Sequence, residues 1–504
     1  MDKNYSLAGN NIEVRAELNG TFNGLSVTDK FSKSVNVVET RDLTLTFVAV
    51  NGPTEFESTA LDSIDFIDKV YPLKDNGIIS ELNYTSIQSI AIEHNSLGLY
   101  LLLHRIHKST LIAGEKPERS VGVVPNGWFA DNLNDPSAIG MSLPLYHSAV
   151  LVEEDFGNNN FFDHISAHEL GHTYGLCDEY NETEWDRQNR GIFGLSSNVC
   201  PNGDQNNDEI LDSECLTEGC PTSTLQPLNG LPDGFEIHNF MGSTITIDSW
   251  ISQESYNHLL GEFNHSTPIN VQSRAVISGQ VNKTSGIVAK FDNFYTLGAG
   301  LAENQSDHKK GNYSIQVFGS GNSLLYNISF DVSFLNIFFN GSTIENNNSA
   351  FAFTIPLNSS TSSIVLKQNG ITKDVRNVSA SIPTIQLTSP SGGQTFSNQN
   401  ISVNWNASDI DGDNLSYAVL FSSDNGSNYN TIIFDHNTTN FNISSNDLSD
   451  CKLCRIKILA TDGVNTNESI SNSFGIDNNL NYLFQGIYYP GIWRENLNIV
   501  IFMS

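Results

Sequence analysis

Residues 166–178 have the sequence SAHELGHTYGLCD, and this stretch decides how the surrounding chain must fold. His168 and His172 are four positions apart, so on a helix both imidazoles lie on one face and can bind one metal ion. Glu169 lies roughly 100° round the helix, where its carboxylate can reach a metal-bound water without being a ligand. Asp178 then brings an oxygen to a third ligand position. The stretch therefore predicts a catalytic zinc site.

Two further residues at fixed offsets make the pattern more specific than the histidine pair alone. Gly175 lets the backbone turn sharply, and Asp178 follows it by three positions. The resulting HExxHxxGxxD pattern resembles the metzincin zinc peptidases, most of which have a histidine where this chain has Asp178. The resemblance implies zinc bound by His168, His172 and Asp178, with Glu169 as general base. The alternative is an ordinary amphipathic helix with two surface histidines.

The same resemblance implies a methionine beneath the zinc, on a tight turn downstream of the ligands. The chain has only four methionines, and Met241 lies in the apolar segment HNFMGS, residues 238–243. Met241 is therefore the candidate, with an ordinary core methionine as the alternative. His238, in the same segment, is a weaker candidate for contact with substrate.

The composition excludes one class of partner. The chain has 504 residues, 25 basic against 56 acidic side chains and a formal net charge of −31. Nucleic acid is excluded as a partner, because phosphate binding needs a basic face. The length predicts two to four domains. We find no apolar run long enough to span a membrane.

The acidic side chains also suggest a calcium site in a long insert, residues 180–237. Oxygen-bearing residues alternate there as in the first part of an EF-hand loop. The match is partial, because Glu209 replaces the usual glycine and Cys215 the usual final glutamate. A solvated acidic loop is the alternative. The candidate calcium ligands are Asp204, Asn206, Asp208 and Asp212.

Sequons and cysteines favour an extracellular or cell-surface location. Asn-x-Ser/Thr occurs about twenty times, most densely after residue 264. The first residues lack the basic and apolar segments of a signal peptide, so we expect the sequence to begin after a lost signal. Four cysteines lie within the predicted peptidase region, namely Cys177, Cys200, Cys215 and Cys220, and they favour disulfides. Cys451 and Cys454 form an isolated CxxC, for which a local disulfide or two free thiols are expected.

Periodicity predicts an α+β domain around the zinc helix. A strand at 43–50 precedes helices at 58–70 and 94–106, and strands at 120–124 and 147–152 precede a helix at 161–174. This order fits a mixed sheet backed by helices. By resemblance to metzincins, strand 147–152 would form the sheet edge along which substrate lies. His94, His104 and His107 are more consistent with packing than with metal binding.

The fold class is therefore multidomain, with a metzincin-like α+β peptidase domain followed by two all-β sandwich domains. Short alternating strands separated by Asn/Gly/Ser turns begin near residue 266, and Trp405 is the expected core aromatic of the second sandwich. Asp409, Asp411 and Asp413 fit a charged turn better than a calcium site. The predicted domains are 1–265 (peptidase), 266–382 (β-sandwich), 383–477 (Ig-like or fibronectin type III-like) and 478–504 (unassigned tail).

These features together predict a secreted or cell-surface zinc-dependent endopeptidase. Its cofactor would be zinc, with calcium as a further candidate, and its partner a protein or peptide substrate. The β-domains would attach the enzyme to a cell surface or glycan. The alternatives are a non-peptide zinc amidase or hydrolase at the same site, and a surface adhesion protein with a vestigial peptidase domain. The intact Glu169 argues against the second alternative.

Overall fold

The computed structural model describes residues 11–22, 25–36, 40–74, 76–87, 96–114, 118–133, 138–142, 149–154, 163–174, 176, 224–225, 237–241, 249–251, 253–264, 269–283, 288–302, 311–332, 334–338 and 343–478. The first half contains all of the α-helices of this described part. Its elements are β1 (Asn11–Phe22), β2 (Leu25–Asn36), β3 (Leu43–Val50), α1 (Phe56–Val70), β4 (Ile78–Ile87), α2 (Ser96–Ala113), β5 (Arg119–Val124), α3 (Trp128–Leu133), β6 (Gly140–Ser142), β7 (Ala149–Glu153), α4 (Asp163–Thr173), β8 (Thr224–Leu225), β9 (Ile237–Asn239), β10 (Ser249–Trp250) and α5 (Gln253–Phe263).

The second half is built from strands. Its elements are β11 (Ile269–Val271), β12 (Arg274–Asn282), β13 (Val288–Phe291), β14 (Tyr295–Leu297), β15 (Gly300–Ala302), β16 (Tyr313–Gly319), β17 (Leu324–Phe330), β18 (Leu335–Phe338), β19 (Thr343–Glu345), β20 (Asn348–Pro356), β21 (Thr361–Gln368), β22 (Ile371–Asn377), β23 (Thr384–Ser389), β24 (Thr395–Phe396), β25 (Asn400–Ser408), β26 (Ser416–Ser422), β27 (Asn430–His436), β28 (Asn440–Ser444), β29 (Cys451–Thr461), β30 (Thr466–Ile470) and β31 (Phe474–Ile476). The chain is multidomain and mostly β, with several separate sheets, and the expected β-rich C-terminal region is present.

A seven-stranded mixed sheet organises the first half, in the order β19-β18-β6-β7-β5-β3-β4. Strands β4, β3, β5 and β7 are parallel to one another, whereas β6 runs antiparallel to β7. Strand β3, between β5 and β4, is buried along almost its whole length, as expected where helices cover both faces of a parallel sheet. The predicted mixed sheet is therefore present.

One expectation about this sheet is wrong. The strand before the zinc helix, β7, lies between β5 and β6 and is not an edge. The sequence does not predict β6, because a strand of three residues is too short to show a hydrophobic period. The outer side of β6 pairs with β18, which comes almost two hundred residues later in the chain.

Helices cover the two faces of the sheet and create two cores. On one face, α1, α4 and α5 pack against inward side chains of β3, β5 and β7. On the other face, α2 and α3 pack against the alternate residues of the same strands. A buried hydrogen bond of 2.8 Å between the hydroxyls of Ser63 and Ser166 joins α1 to α4. The helix that carries the two candidate zinc ligands is thereby enclosed in the interior.

Two β-sandwich units follow. Strands β12, β13, β14 and β20 form one sheet and β16, β17, β21 and β22 another, and both contribute to one core. In the last unit, the sheet β23-β25-β28 shares a core with the sheet built around β26 and β29. Trp405 is buried in that core, as predicted from the sequence. Cys451 and Cys454 form a disulfide within β29, which decides between the two expected states of the CxxC.

Helix α2 joins the first half to both sandwiches and is longer than the sequence pattern predicts. The prediction ended at residue 106, whereas α2 continues to Ala113. Its last turns lie against the sandwiches, and Leu111 and Ile112 share a core with Val276 and Leu420. Polar residues that look like a helix end in the sequence are buried here by contacts from distant segments.

No helix within the described ranges is long and apolar enough to cross a membrane.

Candidate metal centre

Helix α4 places its two histidines in the protein interior with their ring nitrogens together. His168 and His172 are 0% and 1% exposed. Their Nε2 atoms lie 3.2 Å apart, and the two rings are almost perpendicular, at 88°. The spacing of four residues brings both rings to one face of the helix, as the sequence predicts. The structure therefore brings these two residues together.

The backbone fixes which nitrogen of each ring carries the proton. Nδ1 of His168 lies 2.9 Å from the carbonyl oxygen of Phe240, and Nδ1 of His172 lies 2.9 Å from that of Leu176. A carbonyl oxygen can only accept, so each Nδ1 donates. In the neutral imidazoles the Nε2 atoms then carry lone pairs, the state in which histidine binds a metal.

The distance between the two Nε2 atoms fits a shared zinc ion. Two nitrogens bound to one tetrahedral zinc at about 2.0–2.1 Å are separated by about 3.3 Å. The observed separation is 3.2 Å. Two neutral imidazoles whose lone pairs face each other at this distance repel, and a cation between them removes that repulsion. The donor set is thus suited to zinc.

Glu169 lies on the side of α4 that faces strand β6. It is fully buried. A Cβ placed at Gly140 would lie 2.7 Å from Oε1 and 3.0 Å from Cγ of Glu169. Only glycine at position 140 leaves room for the carboxylate in this position. The first residue of β6 therefore lies directly against the proposed general base.

Met241 lies beneath α4, in a turn with Phe240. Both residues are fully buried in the core that α4 shares with α1 and α5. A Cβ placed at Gly171 would lie 2.6 Å from Sδ of Met241. The turn that supplies the Phe240 carbonyl to His168 thus also places the methionine against the helix.

A polar cluster holds the C-terminal end of α4. Arg119 donates from Nε to Oγ1 of Thr173 at 2.8 Å, and its guanidinium lies 4.2 Å from the centroid of the Tyr174 ring. The hydroxyl of Tyr174 donates to Glu118 at 2.8 Å, and Arg41 is paired with the same carboxylate. Burial favours the neutral form of Glu118, but the two arginines outweigh it and lower its pKa. Burial raises the pKa of Tyr174, so its hydroxyl stays protonated as a donor.

The remaining candidate residues of the site lie outside the described residues. These are Asp178, the calcium candidates Asp204, Asn206, Asp208 and Asp212, and the cysteines Cys177, Cys200, Cys215 and Cys220. The third zinc ligand and the calcium site stay predictions. In the last sandwich, Asp409, Asp411 and Asp413 do bring carboxylate oxygens within 4.8 Å of one another. Serine and backbone groups donate hydrogen bonds to these carboxylates, and the choice between a charged turn and a calcium site stays a prediction.

Three further histidines, His104, His107 and His164, have partners other than the paired imidazoles of His168 and His172. His107 lies 3.1 Å from the Ser120 hydroxyl, and His104 lies 3.6 Å from Asp292 of the first sandwich. His164 stacks edge-on against Phe66, with 3.8 Å between the ring centroids. Burial, with a smaller contribution from Lys69, lowers the pKa of His164 to about 4. His94 is outside the described residues.

Sequence reasoning missed the groups that orient the site. Gly140, the carbonyls of Phe240 and Leu176, and Arg119 all come from segments that carry no motif. The HExxH spacing shows which side chains converge, but not which backbone groups meet them. A glycine at the start of a very short strand was the only available signal.

Among known proteins, no family model matches the chain and no curated protein matches its sequence.

Proposed function

We propose that the protein is a zinc-dependent endopeptidase of the metzincin type. The observation that carries this proposal is the pair of buried Nε2 atoms, 3.2 Å apart, on a helix that also presents a buried glutamate. Zinc would be held by His168, His172 and Asp178. The buried Met241 in a turn beneath the helix and the mixed sheet support the same assignment.

His168, His172 and Glu169 of α4 have different roles in the proposed reaction. Zinc, when bound, lowers the pKa of its water to about 7 and polarises the scissile carbonyl. Glu169 accepts the proton of the attacking water and delivers it to the leaving amine. Burial removes competing solvent from this carboxylate, and Gly140 fixes its position. The Nδ1 hydrogen bonds hold both imidazoles in the ligand tautomer throughout the cycle.

The position of β6 favours a peptide over a small amide as substrate. An extended peptide binds to a sheet by adding a strand to an edge, through main-chain hydrogen bonds. Strand β6 lies next to Glu169, and its outer side accepts an extended strand, since β18 pairs with it there in antiparallel fashion. A small non-peptide amide cannot form this row of main-chain hydrogen bonds. We therefore propose protein chains in extended conformation as the substrate class. The sequons and the Cys451–Cys454 disulfide support an extracellular or cell-surface site of action.

The test measures zinc by elemental analysis and casein cleavage with and without 1,10-phenanthroline, using the full chain. Glu169→Gln should retain one zinc per chain and lose at least 1000-fold of the cleavage rate, since both proton transfers fail; we take the upper part of the range of about 10²–10⁴ for general acid–base catalysis. Glu81→Gln, an exposed glutamate on β4, is the matched control and should cleave normally. A chain without zinc, or a Glu169→Gln variant with normal cleavage, would contradict the proposal.

A further inference from the structure

We propose that the hairpin formed by strands β18 (Leu335–Phe338) and β19 (Thr343–Glu345) occupies the substrate-binding side of β6 and that a substrate must displace it. The inference rests on the proposed function. The hairpin, which lies between strands β17 and β20 of the first sandwich in the chain, would then compete with the substrate for β6. The chain would then be largely latent until the hairpin leaves β6.

The strand register places the hairpin at this edge. β18 runs antiparallel to β6, with Ile337 opposite Ser142 and Phe338 opposite Met141. β6 is in turn antiparallel to β7, the strand that precedes α4. The side of β6 that faces away from β7 is therefore already paired. A peptide cannot form main-chain hydrogen bonds there while β18 is present.

The occupied edge is the one beside the proposed general base. Gly140 begins β6 and lies against Glu169, and Phe338 is paired one residue further along the strand. A peptide bound in the place of β18 would run past the carboxylate of Glu169. The hairpin thus covers the part of the sheet that a peptide substrate needs.

The first sandwich holds the hairpin close to this edge. The backbone N–H of Asn346 donates to the carbonyl of Phe334 at 2.6 Å and closes the base of the hairpin. The next strand, β20, packs on α2, and its Ala350 shares a core with Met141 of β6. The segment next to the base of the hairpin is thus packed on the same unit with which β18 pairs. A segment tethered in this way competes with substrate at an effective concentration of about 1 mM.

Release of β18 from β6 leaves the first sandwich intact. Among the described residues, β18 and β6 are matched at Ile337 with Ser142 and at Phe338 with Met141, whereas β20 pairs with β12 along its whole length. Breaking the pairs between β18 and β6 does not break those between β20 and β12, so it does not require the sandwich to unfold. This distinguishes a displaceable occupant from a permanent strand of the sheet.

The test removes the hairpin from the full chain. Residues 335–345 are replaced by Asn-Gly, because the Asn346–Phe334 hydrogen bond already closes the base and a two-residue turn can join its ends. The matched control replaces Ser320–Asn322, an exposed turn of the same sandwich whose base is closed by a bond of 2.8 Å from Gly319 to Ser323. Casein cleavage is measured per bound zinc. A fluorescent peptide with the sequence of residues 334–346, and a scrambled version, are used to measure binding.

We expect the hairpin deletion to raise the cleavage rate at least tenfold and the control deletion to leave it unchanged. The labelled peptide should bind the deleted chain, inhibit its cleavage and not bind the intact chain. Equal cleavage by the intact and deleted chains would overturn the inference. If zinc is bound but none of the chains cleaves, the proposed function fails separately. In that case, peptide binding only to the deleted chain supports occupation of the edge, and equal or absent binding overturns it.

Discussion

Position 140 shows how one missing side chain can determine a reactive geometry. The space that a Cβ would occupy is already taken by Oε1 of Glu169 and by Cγ2 of Ile165, each 2.7 Å away. Any side chain at this position must move the glutamate or the strand. The glycine is therefore part of the proposed catalytic arrangement although it has no chemistry of its own.

Gly140→Ala should lower kcat/KM for casein about 10- to 100-fold while zinc content stays at one per chain, because a general base displaced by a fraction of an ångström loses its alignment. The measurement pairs cleavage kinetics with elemental analysis. Gly261→Ala in α5, where an added Cβ meets nothing within 4 Å, is the control. Unchanged kinetics in Gly140→Ala would show that Glu169 does not need its observed position.

His164 should make the stability of the folded chain depend on pH. Its pKa is about 4 in the folded protein, against 6.5 for an unperturbed histidine. Between these two pKa values, the unfolded chain therefore binds a proton that the folded chain does not. The contribution of neutral His164 to the unfolding free energy is complete above pH 6.5 and is lost as the pH falls through 4. It amounts to at most about 3 kcal/mol. Between pH 7 and 4, the unfolding free energy of the native chain should fall more than that of His164→Leu, both measured in chelator. Parallel pH profiles would contradict the assignment.

At the scale of the element, α4 is held along its length by groups from several segments. The Phe240–Met241 turn supports its underside, Arg119 binds its last residue, and His258 of α5 donates to the Tyr174 carbonyl at 2.7 Å. The cationic guanidinium of Arg119 also lies where the helix dipole is negative. The orientation of the two imidazoles depends on this support and not on helix propensity alone.

Gly261 and Gly171 both lie on helices, but replacing them with alanine should change the unfolding free energy in opposite directions. Alanine normally stabilises a helix relative to glycine by about 1 kcal/mol, and Gly261→Ala should do so in the exposed part of α5. Gly171→Ala should instead destabilise the chain by about 1–3 kcal/mol, because its Cβ would lie 2.6 Å from Sδ of Met241. Urea unfolding of both variants checks the two signs. Stabilisation by Gly171→Ala would show that Met241 does not pack against α4.

At the scale of the whole molecule, a buried charge connects the three units. Lys108 of α2 is completely buried and lies 2.6 Å from Asp435 of the last sandwich and 4.0 Å from Asp292 of the first. Burial favours the neutral form of Asp292, but His104 and Lys108 outweigh it and lower its pKa to about 2. The sandwiches are thus part of the environment of the unit that contains α4. Experiments on the proposed activity therefore need the full chain.

Asp435→Asn should cost about 3 kcal/mol of unfolding free energy, because Lys108 would stay buried with the more distant Asp292 as its carboxylate partner. Asparagine retains the left-handed backbone conformation of position 435, where φ is 54°. The double variant Lys108→Met with Asp435→Asn should be less destabilised than Asp435→Asn alone, since the buried ammonium is removed and Asp292 keeps His104 as a partner. A double-mutant cycle by urea unfolding measures the coupling, and strictly additive effects would contradict it.

The sequence by itself determined what depends on local spacing. The pairing of His168 with His172, the β-rich C-terminal region and the buried Trp405 all follow from periods that a single segment displays. The peptidase activity and the Asp178 ligand stay predictions. Only the tertiary structure decided the internal position of β7, the length of α2, the role of Gly140 and the pairing of β18 with β6. Each of these depends on contacts between segments tens to hundreds of residues apart, and such contacts leave no period in the sequence of either partner.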